Sequence, residues 1–287
     1  MIKFRLFVNL GVAVSIVLFL SASDLIASVR ITDNDKSLLQ DKLNRFSAKG
    51  TLPTAALFLA VGLDFIGTPY VGKTLDRTME ENLVVNLQEF DCTTFVESTL
   101  AITLALKSGH PTLENFLEQL QKIRYRSGSL NGYTSRLHYF SEWMTDNQGK
   151  GLVKDVSSLL GGVNIPISLN FMGNHPDFYP QLKDNPTLIS QIKLIEKNIS
   201  SHNYSFIPKE QLSFYEDKLL DGDIVALTTR ISGLDVSHLG IIFKKDGKTF
   251  LLNASSVLGS VSITPKSLGE YLNGSKNVTG IFVVRVN

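Results

Sequence analysis

An α+β domain is predicted, with helices in the first half of the chain and an antiparallel sheet in the last quarter. Three observations predict it. Apolar residues recur at helical spacing from Lys36 to about Gly151. From Asp223 onward the pattern changes to short β-prone runs separated by turns. Two of those runs flank Asp246-Gly247, a dipeptide suited to the left-handed positions of a type I′ hairpin turn. Helices followed by an antiparallel sheet define the class.

The elements follow in order. Residues 37–46 (SLLQDKLNRF) carry an apolar stripe at helical spacing. Residues 51–65 form a second helix, with Pro53 suited to its first turn. Residues 92–106 (CTTFVESTLAITLAL) are apolar around most of their circumference, as expected of a buried central helix. Thr112 is placed to cap a helix over 112–126 whose stripe is Leu113, Phe116, Leu117, Leu120 and Ile123. A further amphipathic helix is expected over 135–147, and another over 187–198. The stretch 150–220 is otherwise dominated by turn punctuation such as Gly161-Gly162 and Tyr179-Pro180. Strands are expected at 223–229, 238–245, 248–256, 260–264 and 280–286.

The N-terminus has the layout of a secretory signal peptide. Lys3 and Arg5 precede an apolar run from Leu6 to Leu20, and Ser21, Ala22 and Ser23 supply small residues before Asp24. The run contains Asn9 and is shorter than the roughly 20 residues of a membrane span. The expected organisation is a signal peptide over 1–23 and one domain over 24–287. The protein is thus expected to be exported to the periplasm, with no stable membrane insertion after cleavage.

Bulk properties narrow the function. The 28 basic and 27 acidic residues leave a net charge of +1, which gives no basic stripe for nucleic acid. Cys92 is the sole cysteine, which excludes an intramolecular disulfide and a lipid-anchored terminus. The five histidines are scattered, without a CxxC or HExxH partner, so a structural zinc is not expected.

Cys92 begins the apolar helix, where unpaired N–H groups and the dipole favour a thiolate and can hold an oxyanion. The competing reading of a lone cysteine is a small buried hydrophobe. His238 opens a strand after a turn-rich segment, which suits a general base but equally an ordinary surface histidine. If Asp246-Gly247 is a two-residue loop, Lys245 pairs with Lys248 and opposite positions sum to 493. His238 then faces Ser255, and Asn253 is its diagonal neighbour, roughly 7–8 Å away at the backbone. Gly240, opposite Asn253, has no side chain to block the approach. Asn253 can then fix the tautomer of His238 as a third triad member does. A three-residue loop would reverse the facing, and Asn253 would be only a polar residue near a strand end.

The segments GTPYVGKTL (67–75), EFDCTTFVES (89–98), VSHLGIIF (236–243) and LLNASS (251–256) together resemble the ordered motifs of the NlpC-type papain-like cysteine peptidases and amidases. SRLHYFSEW (135–143) and NFMGNHPDFY (170–179) further resemble one branch, once a domain of unknown function, associated with N-acetylmuramoyl-L-alanine amidase activity. The resemblance covers about 55–287. It implies a papain-like fold with Cys92 as nucleophile, His238 as base and Asn253 as orienting residue, and no metal or organic cofactor. It further implies Tyr70 beside the nucleophile, backbone donors at 92 and Thr93, and Ser237 next to the base. Arg136 and His138 are candidates to meet a peptide carboxylate or sugar, and His175 to line the cleft. Asp91 is counted with the substrate contacts, although capping the helix suits it better. Tyr70 and Trp143 also admit plain core readings.

There are departures. The family's usual Asp-Cys-Ser-Gly is here Asp-Cys-Thr-Thr, and its usual third residue, His, is Asn253. The 146 residues from Cys92 to His238 exceed the separation in compact members, which implies an insertion over about 110–220. The implied substrate is peptidoglycan or its muropeptides, and the protein is expected to act as a monomer. Within this class the bond is the N-acetylmuramoyl-L-alanine amide or the D-glutamyl to diamino-acid bond. A non-catalytic wall-binding module and an acyl transferase acting on lipids are the other readings.

Overall fold

A computed structural model describes residues 29–287 of the chain, and the expected signal peptide lies outside the described residues. The helices are α1 (Asp33–Phe46), α2 (Thr54–Leu63), α3 (Cys92–Lys107), α4 (Leu113–Arg124), α5 (Phe140–Gly149), α6 (Phe171–Asn174), α7 (Pro186–Ser200) and α8 (Leu268–Asn273). The strands are β1 (Val29–Arg30), β2 (Leu83–Val84), β3 (Val153–Asp155), β4 (Val163–Pro166), β5 (Asn203–Pro208), β6 (Ile224–Thr229), β7 (Val236–Lys245), β8 (Lys248–Ser255), β9 (Ser260–Ile263) and β10 (Val278–Val286). The chain is therefore α+β, as its periodicity predicts.

The main sheet runs β4-β5-β10-β6-β7-β8-β9, with β3 also paired to β10, and every pairing in it is antiparallel. Its last five strands fall on the β-prone runs that predicted them. The stretch 150–220 departs from its turn-rich reading: it supplies β3, β4 and β5 to the same sheet. These strands are short or exposed, with Val163 and Asn164 of β4 both open to solvent, so no inside–outside alternation marked them. The helix expected over 135–147 starts later, at Phe140, because residues 133–135 form a separate 3-10 turn. Pro53 caps α2 from outside instead of occupying its first turn.

Both faces of the sheet are covered. On one face Leu239, Ile241, Leu252 and Phe282 join the core that includes α2, α3 and α4. On the other, Val225, Ile242, Leu251 and Val283 pack with Leu268 and Leu272 of α8. Helix α2 reaches the sheet closely through Gly62, where an added Cβ would lie 3.1 Å from Ile241 and Leu252 methyl groups. Helix α3 is the central element: twelve of its sixteen residues are buried, in keeping with its nearly uniform apolar sequence.

One charged pair is locked into this core. Glu97 of α3 and Arg124 of α4 are each 2% exposed, and Arg124 Nε donates to Glu97 Oε2 at 2.7 Å. Arg124 Nη1 also donates to the Val84 carbonyl of β2 at 2.6 Å. Removing one partner leaves an uncompensated buried charge. Glu97→Ala is therefore expected to lower the unfolding free energy by about 3–5 kcal/mol in denaturant titrations, and a change below about 1 kcal/mol, the scale of an exposed pair, contradicts this role.

Candidate active site

Three local structures converge on Cys92. The first is the start of α3. Asp91 has extended backbone (φ −94°, ψ 178°), and its carboxylate accepts from the Thr94 N–H at 2.8 Å. The Thr94 hydroxyl in turn accepts from the Asp91 N–H at 3.0 Å. This reciprocal cap fixes Cys92 as the first helical residue. Asp91 Oδ1 is thereby occupied by Thr94, which makes Asp91 the helix cap, the role its position suits better than substrate contact.

The second is the segment carrying Tyr70. Phe90 N–H donates to Pro69 at 2.9 Å, Val71 N–H to Phe90 at 2.9 Å, and Tyr70 N–H to Gly259 at 2.8 Å. Tyr70 is thus tied both to the strand-like residue before the cap and to the turn beyond β8. Burial raises its hydroxyl pKa above the usual value, as do the nearby negative charges of Cys92 as thiolate and of Asp91.

The third is the β7–β8 hairpin. Asp246 (φ 50°) and Gly247 (φ 72°) are both left-handed, as a type I′ turn requires. Lys245 pairs with Lys248 and Ile241 with Leu252, the register whose positions sum to 493. A bulge at Ser237 follows from Leu227 pairing with His238 while Thr228 pairs with Val236. His238 Nε2 lies 2.8 Å from Asn253 Oδ1. The space beside Gly240 is taken by Leu251, whose Cγ would lie 2.5 Å from an added Cβ, so that glycine admits a leucine and not the asparagine.

The state of the imidazole follows from Asn253. Its amide nitrogen donates to the carbonyls of Leu251 (3.1 Å) and Ser262 (3.2 Å), which can only accept. Oδ1 is therefore the atom facing His238, and as an acceptor it requires the proton on Nε2. Nδ1 is left as the free base. Burial pulls the His238 pKa below its ordinary value, against a smaller opposite effect of the Asn253 bond.

Cys92 and His238 line one cavity of about 170 Å³, whose walls include Thr93, His138, Trp143 and Ser237. The sulfur is next to the N–H of Leu239, the residue after His238. Cys92 retains partial exposure, so the thiol is not sealed in a dry core. Its pKa is nevertheless pushed up to about 12, first by burial and second by the Asp91 carboxylate. The N–H of Leu239, the Thr93 hydroxyl and the N–H of Cys92 itself offset this in part. The expectation of a thiolate at the helix N-terminus is thus opposed by burial and by the cap: the residue that caps the helix brings a negative charge to its positive end. Both shifts favour the uncharged forms, thiol and imidazole, in the resting pair.

The remaining candidates divide. Thr93, His138 and Ser237 lie in the cavity wall. Arg136 does not; it is buried, with Asp76 at 2.6 Å and Glu81 at 3.5 Å, so it is a structural ion-pair residue and not one free for a substrate carboxylate. His175 is also outside that wall, on an exposed turn, tilted against Phe171 and stacked on Phe178, with Nδ1 donating to Phe171 O at 2.8 Å. Trp143 is both core, at 3% exposure, and wall. Glu97 and Asp235 of the wall were not singled out beforehand. Glu97 lies five residues after Cys92, about 140° around the helix, so helical spacing did not mark it as a neighbour of the cysteine. Asp235, which accepts from the Ser141 and Val236 N–H groups, reads in sequence only as part of a turn. Tyr271 of α8, whose hydroxyl also feels Cys92, carried no sequence signal. Among the described residues no cluster of potential metal ligands occurs, and no helix is long and apolar enough to cross a membrane.

Residues 60–281 match the AmiA-like family, described as N-acetylmuramoyl-L-alanine amidase-like, and the chain belongs to that family. Among solved structures it is similar to an N-acetylmuramoyl-L-alanine amidase from Bacteroides uniformis, with 37% identity and a TM-score of 0.78, over 82% of this chain and 99% of that one. It is also similar to a Bacteroides fragilis protein given the provisional name of a xylanase, with 40% identity and a TM-score of 0.74, over 79% of this chain and 100% of that one. A Legionella pneumophila protein shares the fold at 23% identity and a TM-score of 0.67, over 88% and 95% of the two chains. No curated protein matches.

Because Cys92 is the sole cysteine, alkylation reports on it alone. Its reaction with iodoacetamide is expected to quicken about tenfold per pH unit from pH 7 to 9, since only the thiolate reacts. A rate already level between pH 6 and 8 contradicts the neutral resting thiol.

Proposed function

We propose that this protein hydrolyses the N-acetylmuramoyl-L-alanine bond of peptidoglycan fragments by cysteine catalysis on a papain-like, NlpC-type scaffold. The observation that carries the reading is the shared cavity of Cys92 and His238, with His238 held by Asn253. Membership of the amidase-like family and likeness to the Bacteroides uniformis amidase support the bond class.

The steps follow from the protonation states. His238 Nδ1 takes the proton of the Cys92 thiol as the sulfur attacks the lactoyl carbonyl of the muramic acid. The N–H groups of Cys92 and Thr93, which have no partner one turn earlier in the helix, receive the oxyanion. His238 then returns its proton to the leaving amine of L-alanine as the C–N bond breaks, leaving a thioester. Water, deprotonated by His238, attacks the thioester carbonyl; the C–S bond breaks, the sugar acid is freed, and His238 returns that proton to the Cys92 sulfur. Asn253 acts through His238 by holding its tautomer, and Tyr70 borders the nucleophile. A resting neutral pair suits this route, because the base is vacant at neutral pH and the thiol is activated only as substrate fills the cavity. The reaction takes place outside the cytoplasm, in the periplasm, on a monomeric enzyme.

The xylanase name of one similar structure does not favour glycoside hydrolysis here. That chemistry needs two free carboxyl groups across the bond, whereas Glu97 is paired to Arg124 and Asp235 is bonded to two backbone N–H groups. Mass spectrometry of muropeptide digests tests the proposal. Wild type is expected to separate the sugar from the whole peptide, and Cys92→Ala to lose activity by roughly a thousandfold or more. Cleavage inside the peptide assigns the D-glutamyl bond instead, and full activity of Cys92→Ala contradicts cysteine catalysis.

A further inference from the structure

A second histidine lies in the wall of the cavity, and its chemistry is fixed by its surroundings. His138 Nε2 is 2.9 Å from the Tyr133 carbonyl oxygen. A carbonyl only accepts, so Nε2 carries the ring proton and Nδ1 is a bare lone pair. The ring is further held against the Tyr133 ring, with centroids 4.5 Å apart and a tilt of 44°. Among the described residues Nδ1 has no protein hydrogen-bond partner, and it is not sealed from solvent.

The charged groups around this ring all oppose a second proton. Burial, Arg136 and Arg126 pull its pKa down to about 3, against the weaker effect of the Tyr133 carbonyl. The neighbouring carboxylates are committed to those arginines: Asp76 and Glu81 to Arg136, and Glu142 to Arg126. His138 is therefore held in its neutral form at neutral pH. The two imidazoles of the cavity differ in kind: His238 exchanges its proton, and His138 keeps one tautomer.

We propose that His138 is a specificity-determining residue, an uncharged acceptor whose Nδ1 takes one N–H or O–H donor of the substrate beside Cys92. The proposal rests on reading this cavity as the amidase site. It replaces the expectation that His138 meets a peptide carboxylate, because an ionised carboxyl has only lone pairs to offer and cannot bond a bare Nδ1. The donor is an amide N–H of the stem peptide or a hydroxyl of the sugar, and a site built on such a bond discriminates against substrates that lack the donor.

The test compares wild type, His138→Gln and His138→Leu on muramoyl dipeptide and two of its methylated forms. One form is methylated at the peptide amide nitrogen and the other at the sugar hydroxyls. His138→Leu is expected to raise KM about tenfold, the scale of one hydrogen bond, with kcat within about threefold. His138→Gln, whose amide oxygen can accept, is expected to recover most of the loss. One methylated form is expected to cost wild type the same factor and to cost His138→Leu nothing more, and which form it is names the donor. Equal penalties for methylation in wild type and His138→Leu overturn the proposal, as does a fall in kcat at unchanged KM. If His138→Leu fails to fold, wild type alone decides: indifference to both methylations overturns the proposal. If wild type turns over none of these compounds, the amidase reading fails separately. Calorimetric binding of the same three compounds to Cys92→Ala then decides the role of His138: weaker binding of one methylated form supports it, and equal binding of all three overturns it.

Discussion

The hydrogen bond between His238 and Asn253 is the contact on which the proposed chemistry depends. It joins two neighbouring strands, so its existence is decided by strand register. That register is decided in turn by a two-residue turn at Asp246-Gly247, eight residues along the strand from His238. Asn253 is 1% exposed, and its amide nitrogen is held by two backbone carbonyls. The asparagine cannot flip without setting Oδ1 against two carbonyl oxygens and leaving those acceptors unpaired. A backbone feature thus dictates which imidazole nitrogen is free, and that nitrogen is the one available to a thiol.

The electrostatics of the nucleophile are a balance between opposing local effects. A helix N-terminus stabilises an anion, and Cys92 has that position. Yet the same helix begins there because Asp91 caps it, and a capping carboxylate supplies the anion that the terminus favours. Burial then adds a larger penalty against a second negative charge. The thiol remains protonated until something replaces the solvent and accepts its proton. In the proposed chemistry His238, whose pKa burial lowers, is that acceptor. Stability carries the same signature: a histidine whose folded pKa lies below its unfolded value binds protons better when unfolded. His238 therefore contributes stability in full above about pH 6.5, its unfolded value, and loses it as pH falls toward its folded pKa.

Much of this was legible in the sequence. The central helix, the hairpin and its register, and the approach of Asn253 to His238 followed from periodicity, turn chemistry and counting. These are local or near-local signals, and each rests on one geometric rule. What was not legible has a common cause. Strands β3 to β5 are too short or too exposed for their pairing with β5 and β10 to leave an alternating pattern. Arg136 has the residue type of a ligand-binding group, but only the fold reveals that Asp76 and Glu81, 60 and 55 residues earlier, already occupy it. Asp235 and Tyr271 reach the site through loops and a short helix that carry no motif. The charge state of Cys92 depends on burial, which a helix-start rule does not contain.

The most direct measurement is the tautomer of His238, read by long-range proton–nitrogen NMR of ¹⁵N-labelled protein at pH 7 and assigned with His238→Gln. A neutral ring with a protonated Nε2 and a bare Nδ1 is expected. A ring protonated at both nitrogens, or one bearing its single proton on Nδ1, would contradict the proposed chemistry.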